Sequence, residues 1–228
     1  MLAKWETLPE YMQNAQVAKY YKTLQNRKFA LLCKRVFDVC VASVLAVVLL
    51  PLMLVIALVV KLDSPGKIFY KQKRVTQGGR VFNVLKFRTM VENADKIGAK
   101  VTSKDDARIT KIGKWLRKLR LDELPQIFNV LSGELSFVGV RPEVPEYVSH
   151  YTPEMYATLL LPAGVTSLTS ILYKDEDKLL EGSQNPEKTY INEILPQKMK
   201  YNLEYIRNFS FWDDILVMVK TVLAVVKK

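Results

Sequence analysis

Asp122 and Glu123 stand side by side in Leu121-Asp122-Glu123-Leu124-Pro125-Gln126, ahead of an apolar stretch that closes on Gly133. Pro125 suits the first turn of a short helix, whose amides lack intrahelical partners, and Gly133 suits the position just past its end. The free N–H groups and positive dipole end at such a start form a ready anion site. An aspartate there has two readings. It can cap the helix through its side chain. It can also serve as a carboxylate nucleophile that forms an aspartyl phosphate held by the same amides.

The surroundings are basic. Lys111, Lys114, Arg117, Lys118 and Arg120 precede the acidic pair, and Arg141 follows it. Cations this close lower carboxylate pKa values and gather a polyanionic substrate. A solvated helix face would carry a similar run, so charge alone does not choose between the readings. Neighbouring helical residues point about 100° apart, which prevents Asp122 and Glu123 from facing each other across one bond as glycosidase carboxylates must. Two separate tasks, one on phosphorus and one on a metal, fit the spacing better. His150 is the only histidine, no nucleophile-elbow motif accompanies it, and it reads as structural.

The chain that positions these groups has 228 residues, 49% of them apolar, and a formal net charge of +11. Its partners should therefore be nucleic acid, anionic lipid or phosphorylated small molecules. Nucleic acid is disfavoured, because no recognisable nucleic-acid module is present and such binding leaves the apolar run unexplained. Cys33 and Cys40 form neither a disulfide framework nor a metal cluster, in keeping with a reducing compartment.

Val39 to Val60 is a run of 22 residues without charge. As one straight helix it would measure about 33 Å, enough to cross a hydrocarbon core. It starts too late and runs too long for a cleaved signal peptide. Pro51 falls near its middle, where it removes a backbone hydrogen bond and crowds the carbonyl of Val47. Five basic residues flank each side: Lys22, Arg27, Lys28, Lys34 and Arg35 before, Lys61, Lys67, Lys71, Lys73 and Arg74 after. That balance gives the positive-inside rule no direction. A helix that enters the membrane and returns satisfies the count, while a plain transmembrane anchor remains open because spanning helices tolerate proline.

Residues 1–35 read as an amphipathic helical lead-in lying on a surface. Asp63-Ser64-Pro65-Gly66 forms a turn, and Ile68–Val75 with Arg80–Arg88 forms a β-hairpin around Gln77-Gly78-Gly79. Residues 91–120 look helical with a polar break at Thr102–Arg108. There Trp115, Leu116 and Leu119 make an apolar edge that suits either a lipid interface or the core. Leu135–Glu143 and Pro162–Ser167 read as loops, with Arg141 held extended by Pro142. Residues 175–210 read as charged surface helix. The tail Ile215–Val226 is too short to span and either packs on the domain or lies in the interface.

With these pieces in order, the chain resembles the bacterial sugar transferases known as monotopic phosphoglycosyl transferases, from about Lys34 to its C-terminus. Six segments carry the likeness: Lys34-Arg35-Val36-Phe37-Asp38, Lys61-Leu62-Asp63-Ser64-Pro65-Gly66, Lys86-Phe87-Arg88-Thr89-Met90, Asp106-Ala107-Arg108-Ile109-Thr110, Leu121 to Gln126, and Val138-Gly139-Val140-Arg141-Pro142-Glu143. The resemblance implies an α+β fold: a mostly helical, membrane-associated domain with a small β-hairpin and an N-terminal re-entrant helix broken at Pro51. Residues 36–62 would be that helix and 63–228 a catalytic domain with interfacial helices, on the cytoplasmic face of a bacterial inner membrane.

The activity implied is transfer of a sugar 1-phosphate from a nucleotide sugar, usually UDP-linked, to polyprenyl phosphate, through a covalent aspartyl-phosphosugar, as the first step of glycoconjugate or exopolysaccharide assembly. Asp122 would be the nucleophile and Glu123 would help hold Mg²⁺. Lys86, Arg88, Arg141 and Pro142 would lie at the substrate, the arginines holding phosphate with their bidentate forks. Membrane lipids would be partners, and a homodimer is an allowed assembly. The chain departs from the usual family pattern where Leu50 replaces Ser before Pro51, Val140 replaces Pro before Arg141, and Ala163 and Ser167 alter the commoner Pro-Gly-Ile-Thr-Gly form. The alternative is a non-catalytic, membrane-anchored basic protein that binds anionic lipid or a partner.

Overall fold

A computed structural model describes residues 2–94, 106–173 and 185–226, of which the side chains of 225 and 226 are not described. The described residues are mostly helical, with two small sheets. Residues 95–105, which hold part of the expected 91–120 helix and the start of its polar break at Thr102–Arg108, and the first part of the 175–210 segment lie outside them.

The molecule is organised along one helix. After two single-turn 3-10 helices and α1 (Ala15–Gln25), helix α2 runs from Lys28 to Asp63 with Pro51 inside it. It is the one helix, among the described residues, long and apolar enough to cross a membrane. Its 36 residues would extend about 54 Å if straight. Leu31, Lys34, Asp38, Ala42, Met53, Ile56 and Val60 are buried along it at helical spacing, forming one continuous stripe. The upper part of that stripe packs on Phe82, Ile127 and Val130, and the lower part on Phe87 and Leu116. Val44, Val47, Val48, Leu54, Val55 and Leu58 on the remaining surface stay exposed.

Polar bonds fix both ends of α2 to the same body. At the first end, Arg35 donates to the carbonyls of Val130 and Leu131 at 2.7 and 2.9 Å, closing the end of α4 (Gln126–Ser132). Lys34 pairs with Asp214 at 2.5 Å, and Asp38 accepts from the Phe137 amide at 3.2 Å. At the other end Asp63 accepts from the amide of Ile112, in the first turn of α3 (Lys111–Lys118), at 3.3 Å.

The expected hairpin is present as β1 (Phe69–Val75) and β2 (Val81–Phe87), antiparallel with Phe69 opposite Phe87. Gly78 and Gly79 take positive φ at its turn, and a Cβ on Gly79 would strike the Tyr11 hydroxyl. Two segments read as loops instead contain strands. Leu135–Val138 (β3) and Ala163–Thr166 (β4) pair in parallel. Each has only four residues, none of them exposed, so neither shows the alternation that marks a half-exposed strand.

Two other expectations change. Among the described residues of the 91–120 region the α-helix is α3, with Leu116 buried while Trp115 and Leu119 face outward. The lead-in is not a surface element: Met12, Val17, Tyr20 and Leu24 are buried in the largest apolar cluster. That cluster also holds Leu159 and Leu160, with Leu195, Met199 and Ile206 from helix Leu195–Arg207. Tyr20 donates to Glu154 at 2.6 Å and accepts from Arg207 at 3.1 Å. The tail forms a helix from Phe211 to Val226 that buries Asp214 and exposes Trp212, Leu216, Val219 and Leu223.

Candidate active site

Helix α3 ends in a turn that places Arg120 in the left-handed region, φ 57°. A non-glycine residue there costs about 1 kcal/mol. The chain then reverses into a single 3-10 turn, Leu121–Glu123, before Pro125 starts α4. The acidic pair therefore precedes the helix instead of forming its first turn, and neither the 3-10 turn nor α4 receives a side-chain cap. The capping reading of Asp122 fails on this geometry.

Asp122 is 8% exposed, and its Oδ1 is buried with no hydrogen-bond partner. Burial raises its pKa above the ordinary 3.8 and the charge of Glu123 adds to the rise, against the opposing pull of Lys86, Arg117 and Arg120. The basic surroundings had suggested a lowered value. Desolvation outweighs them here because no cation makes a hydrogen bond to the carboxylate.

Glu123 has the opposite environment. Burial pushes its pKa up, but Lys86 and Arg141, with Arg120 beyond, overcome that and hold it at about 2. Lys86 Nζ donates to Oε1 at 3.0 Å and Arg141 Nη2 to the same oxygen at 3.5 Å. Lys86 comes from β2 and Arg141 from the segment after β3, so three separate parts of the chain meet at one carboxylate. Four of the expected site residues are thereby brought together: Lys86, Asp122, Glu123 and Arg141.

Arg88 has its own set of partners. Its guanidinium donates to the Ser64 carbonyl and hydroxyl at 2.6 and 2.9 Å and to the Pro65 carbonyl at 2.8 Å. It closes the C-terminal end of α2, with only Nε lacking a partner. Pro142 contributes its carbonyl, which accepts from Arg74 Nη1 at 3.1 Å, and Pro51 lies inside α2.

Among the described residues no group of three or more His, Cys, Asp or Glu could hold a metal ion. Mg²⁺ usually takes only one or two protein carboxylates, completing its shell with water and substrate phosphate. A fully ionised Glu123 beside the unpartnered Oδ1 of Asp122 fits that sparse donor set.

Two residues without a sequence-assigned role support this site. Glu143 is buried, accepts from Tyr190 at 2.7 Å and Lys198 at 3.4 Å, and fixes the segment that carries Arg141. Asn129 is 2% exposed and joins α4 to β2. Its position was the available signal: an asparagine amid Ile127, Phe128, Val130 and Leu131 is a poor helix residue unless its amide is used.

The family model for bacterial sugar transferases matches residues 29–228. The chain is 36% identical over 193 residues to a UDP-N-acetylgalactosamine-undecaprenyl-phosphate N-acetylgalactosaminephosphotransferase of Aeromonas hydrophila, covering 83% of this chain and 42% of that protein. It is 35% identical to a UDP-glucose:undecaprenyl-phosphate glucose-1-phosphate transferase of Caulobacter vibrioides, covering 83% and 68%. An exopolysaccharide production protein of Sinorhizobium fredii is 34% identical over 84% of both chains. The chain spans less than half the length of several of its curated relatives.

Proposed function

The chain belongs to the bacterial sugar transferase family, and from that premise we propose that it moves a sugar 1-phosphate from a UDP-sugar to undecaprenyl phosphate, initiating polysaccharide or glycoconjugate assembly. The observation that carries this reading is the buried, unpartnered Oδ1 of Asp122 beside a cation-held Glu123. Proteins seldom leave a buried carboxylate oxygen without a partner unless a ligand or a reaction uses it.

In the proposed reaction an oxygen of Asp122 attacks the sugar-bearing β-phosphorus. The bond from that phosphorus to the bridging oxygen breaks, and the electron pair leaves with UMP. An oxygen of undecaprenyl phosphate then attacks the same phosphorus, and Asp122 departs as carboxylate. A raised pKa makes Asp122 more basic than a solvated aspartate and hence the better nucleophile. Arg141, the more exposed of the two cations on Glu123, is placed to turn its fork toward substrate phosphate while Lys86 keeps Glu123 ionised. Glu123 would hold Mg²⁺, which would supply positive charge against that developing on the departing phosphate.

The same reading gives α2 a re-entrant path in the inner membrane, with the catalytic body on the cytoplasmic face. The support is that Arg35 and Asp63, near its two ends, both bond to one body, whereas a spanning helix carries its ends to opposite faces. Release of UMP across a panel of UDP-sugars tests the activity. Release with one sugar and undecaprenyl phosphate is expected. A folded, membrane-bound protein that releases none with any sugar supports the binding-protein reading instead.

A further inference from the structure

Strand β2 pairs with β1 along one edge only, as its sheet has two strands. Its other edge is met by a side chain. Asn129 Oδ1 accepts from the Leu85 amide at 3.0 Å, and Asn129 Nδ2 donates to the Asn83 carbonyl at 2.9 Å. One primary amide thus takes the place of a neighbouring strand's peptide group across two alternate positions. Its remaining N–H donates to Glu134 at 2.7 Å, which holds the amide in this orientation. Lys86 follows Leu85 directly, and Asn129 sits six residues after Glu123.

We infer that Asn129 is a positioning residue that docks the open edge of β2 onto α4 and thereby sets Lys86 Nζ against Glu123. Without it, a two-stranded hairpin has little intrinsic rigidity. Lys86 would then approach Glu123 on a mobile arm. The 3.0 Å contact is what orients Glu123, and a displacement of about 1 Å at such a group can cost about 100-fold in rate. The inference rests on the proposed activity only in naming Asp122 and Glu123 as the working centre.

The test uses the full chain in detergent micelles. Amide hydrogen exchange of residues 83–87 in the unaltered protein should be as slow as that of α4; fast exchange of the hairpin with a protected α4 overturns the inference before any variant is made. Asn129→Leu, near in volume, and Asn129→Ala should each lower kcat about 10- to 100-fold with KM for the UDP-sugar within about threefold. A double-mutant cycle between Lys86→Met and Glu123→Gln, read as thermal stability, should show a coupling that falls by at least half when Asn129 is replaced. An unchanged coupling, or an unchanged kcat in a folded Asn129 variant, overturns the inference. If the unaltered protein releases no UMP, the activity assignment fails on its own, and exchange and the stability cycle still decide the role of Asn129.

Discussion

Asp122 and Glu123 are adjacent, yet the same cations that grip Glu123 leave Asp122 without a bond. Lys86 and Arg141 both reach Glu123 Oε1, while Asp122 Oδ1 is buried with no partner. Burial raises one carboxyl and the neighbouring cations lower the other. Opposed environments on two close acids are how a site assigns them different work.

Replacing Asp122 by Asn should abolish UMP release and raise the melting temperature. The sign follows from the raised pKa. A group that is harder to ionise in the folded state destabilises it when charged, over pH values above its ordinary 3.8. Each kcal/mol relieved adds about 2–4 °C for a chain of this size. Differential scanning fluorimetry of both proteins at neutral pH measures it, and an unaltered turnover rate would remove Asp122 from the chemistry.

Turnover should fall as the medium is acidified, with a midpoint above the range of a free aspartate, because only ionised Asp122 attacks. Glu123 contributes differently. Its folded pKa of about 2, against an ordinary 4.5, gives stability on the order of 3 kcal/mol that is present above pH 4.5 and lost as pH falls toward 2. A pH–rate profile and an acid unfolding curve should therefore break at different pH values.

Glu123→Gln should weaken the dependence of rate on Mg²⁺ and lower stability, since Lys86 and Arg141 lose their partner. An Mg²⁺ titration indistinguishable from that of the unaltered protein assigns the metal to another acid.

Arg88→Lys should lower the melting temperature more than it changes KM for the nucleotide sugar. A lysine cannot span the Ser64 and Pro65 carbonyls that the planar fork now joins. A large KM increase with unchanged stability would return Arg88 to the substrate.

For topology, cysteines introduced at Gln25 and Gln72, with Cys33 and Cys40 replaced, should both resist an impermeant thiol reagent added to intact spheroplasts. Labelling at position 25 alone means that α2 spans. Substituting Pro51 by Ala or Leu should raise labelling at position 25.

The hairpin, its glycine turn, the stop at Gly133 and the long apolar helix were all legible in the sequence, because periodicity and turn chemistry are local. The engagement of Arg88 with the end of α2 was not, since it joins residues more than twenty positions apart. Nor was the burial of Asp122. The charge run predicts a lowered pKa, and only the packing of Asp122 shows that desolvation wins. Strands β3 and β4 escaped for a related reason: four residues with no exposed position carry no period to read.

The burial of the N-terminal segment also sets an order of assembly. Tyr20 finds its partners at Glu154 and Arg207, residues 134 and 187 positions later, and Met12 and Leu24 share their core with Ile206. On the ribosome α1 therefore emerges before its partners and is completed last, while in the proposed topology α2, the next segment out, needs only lipid to shelter its exposed face. In the proposed topology, membrane association precedes closure of the core. A nascent chain halted before residue 195 should be bound to the bilayer and still open to protease within residues 1–27.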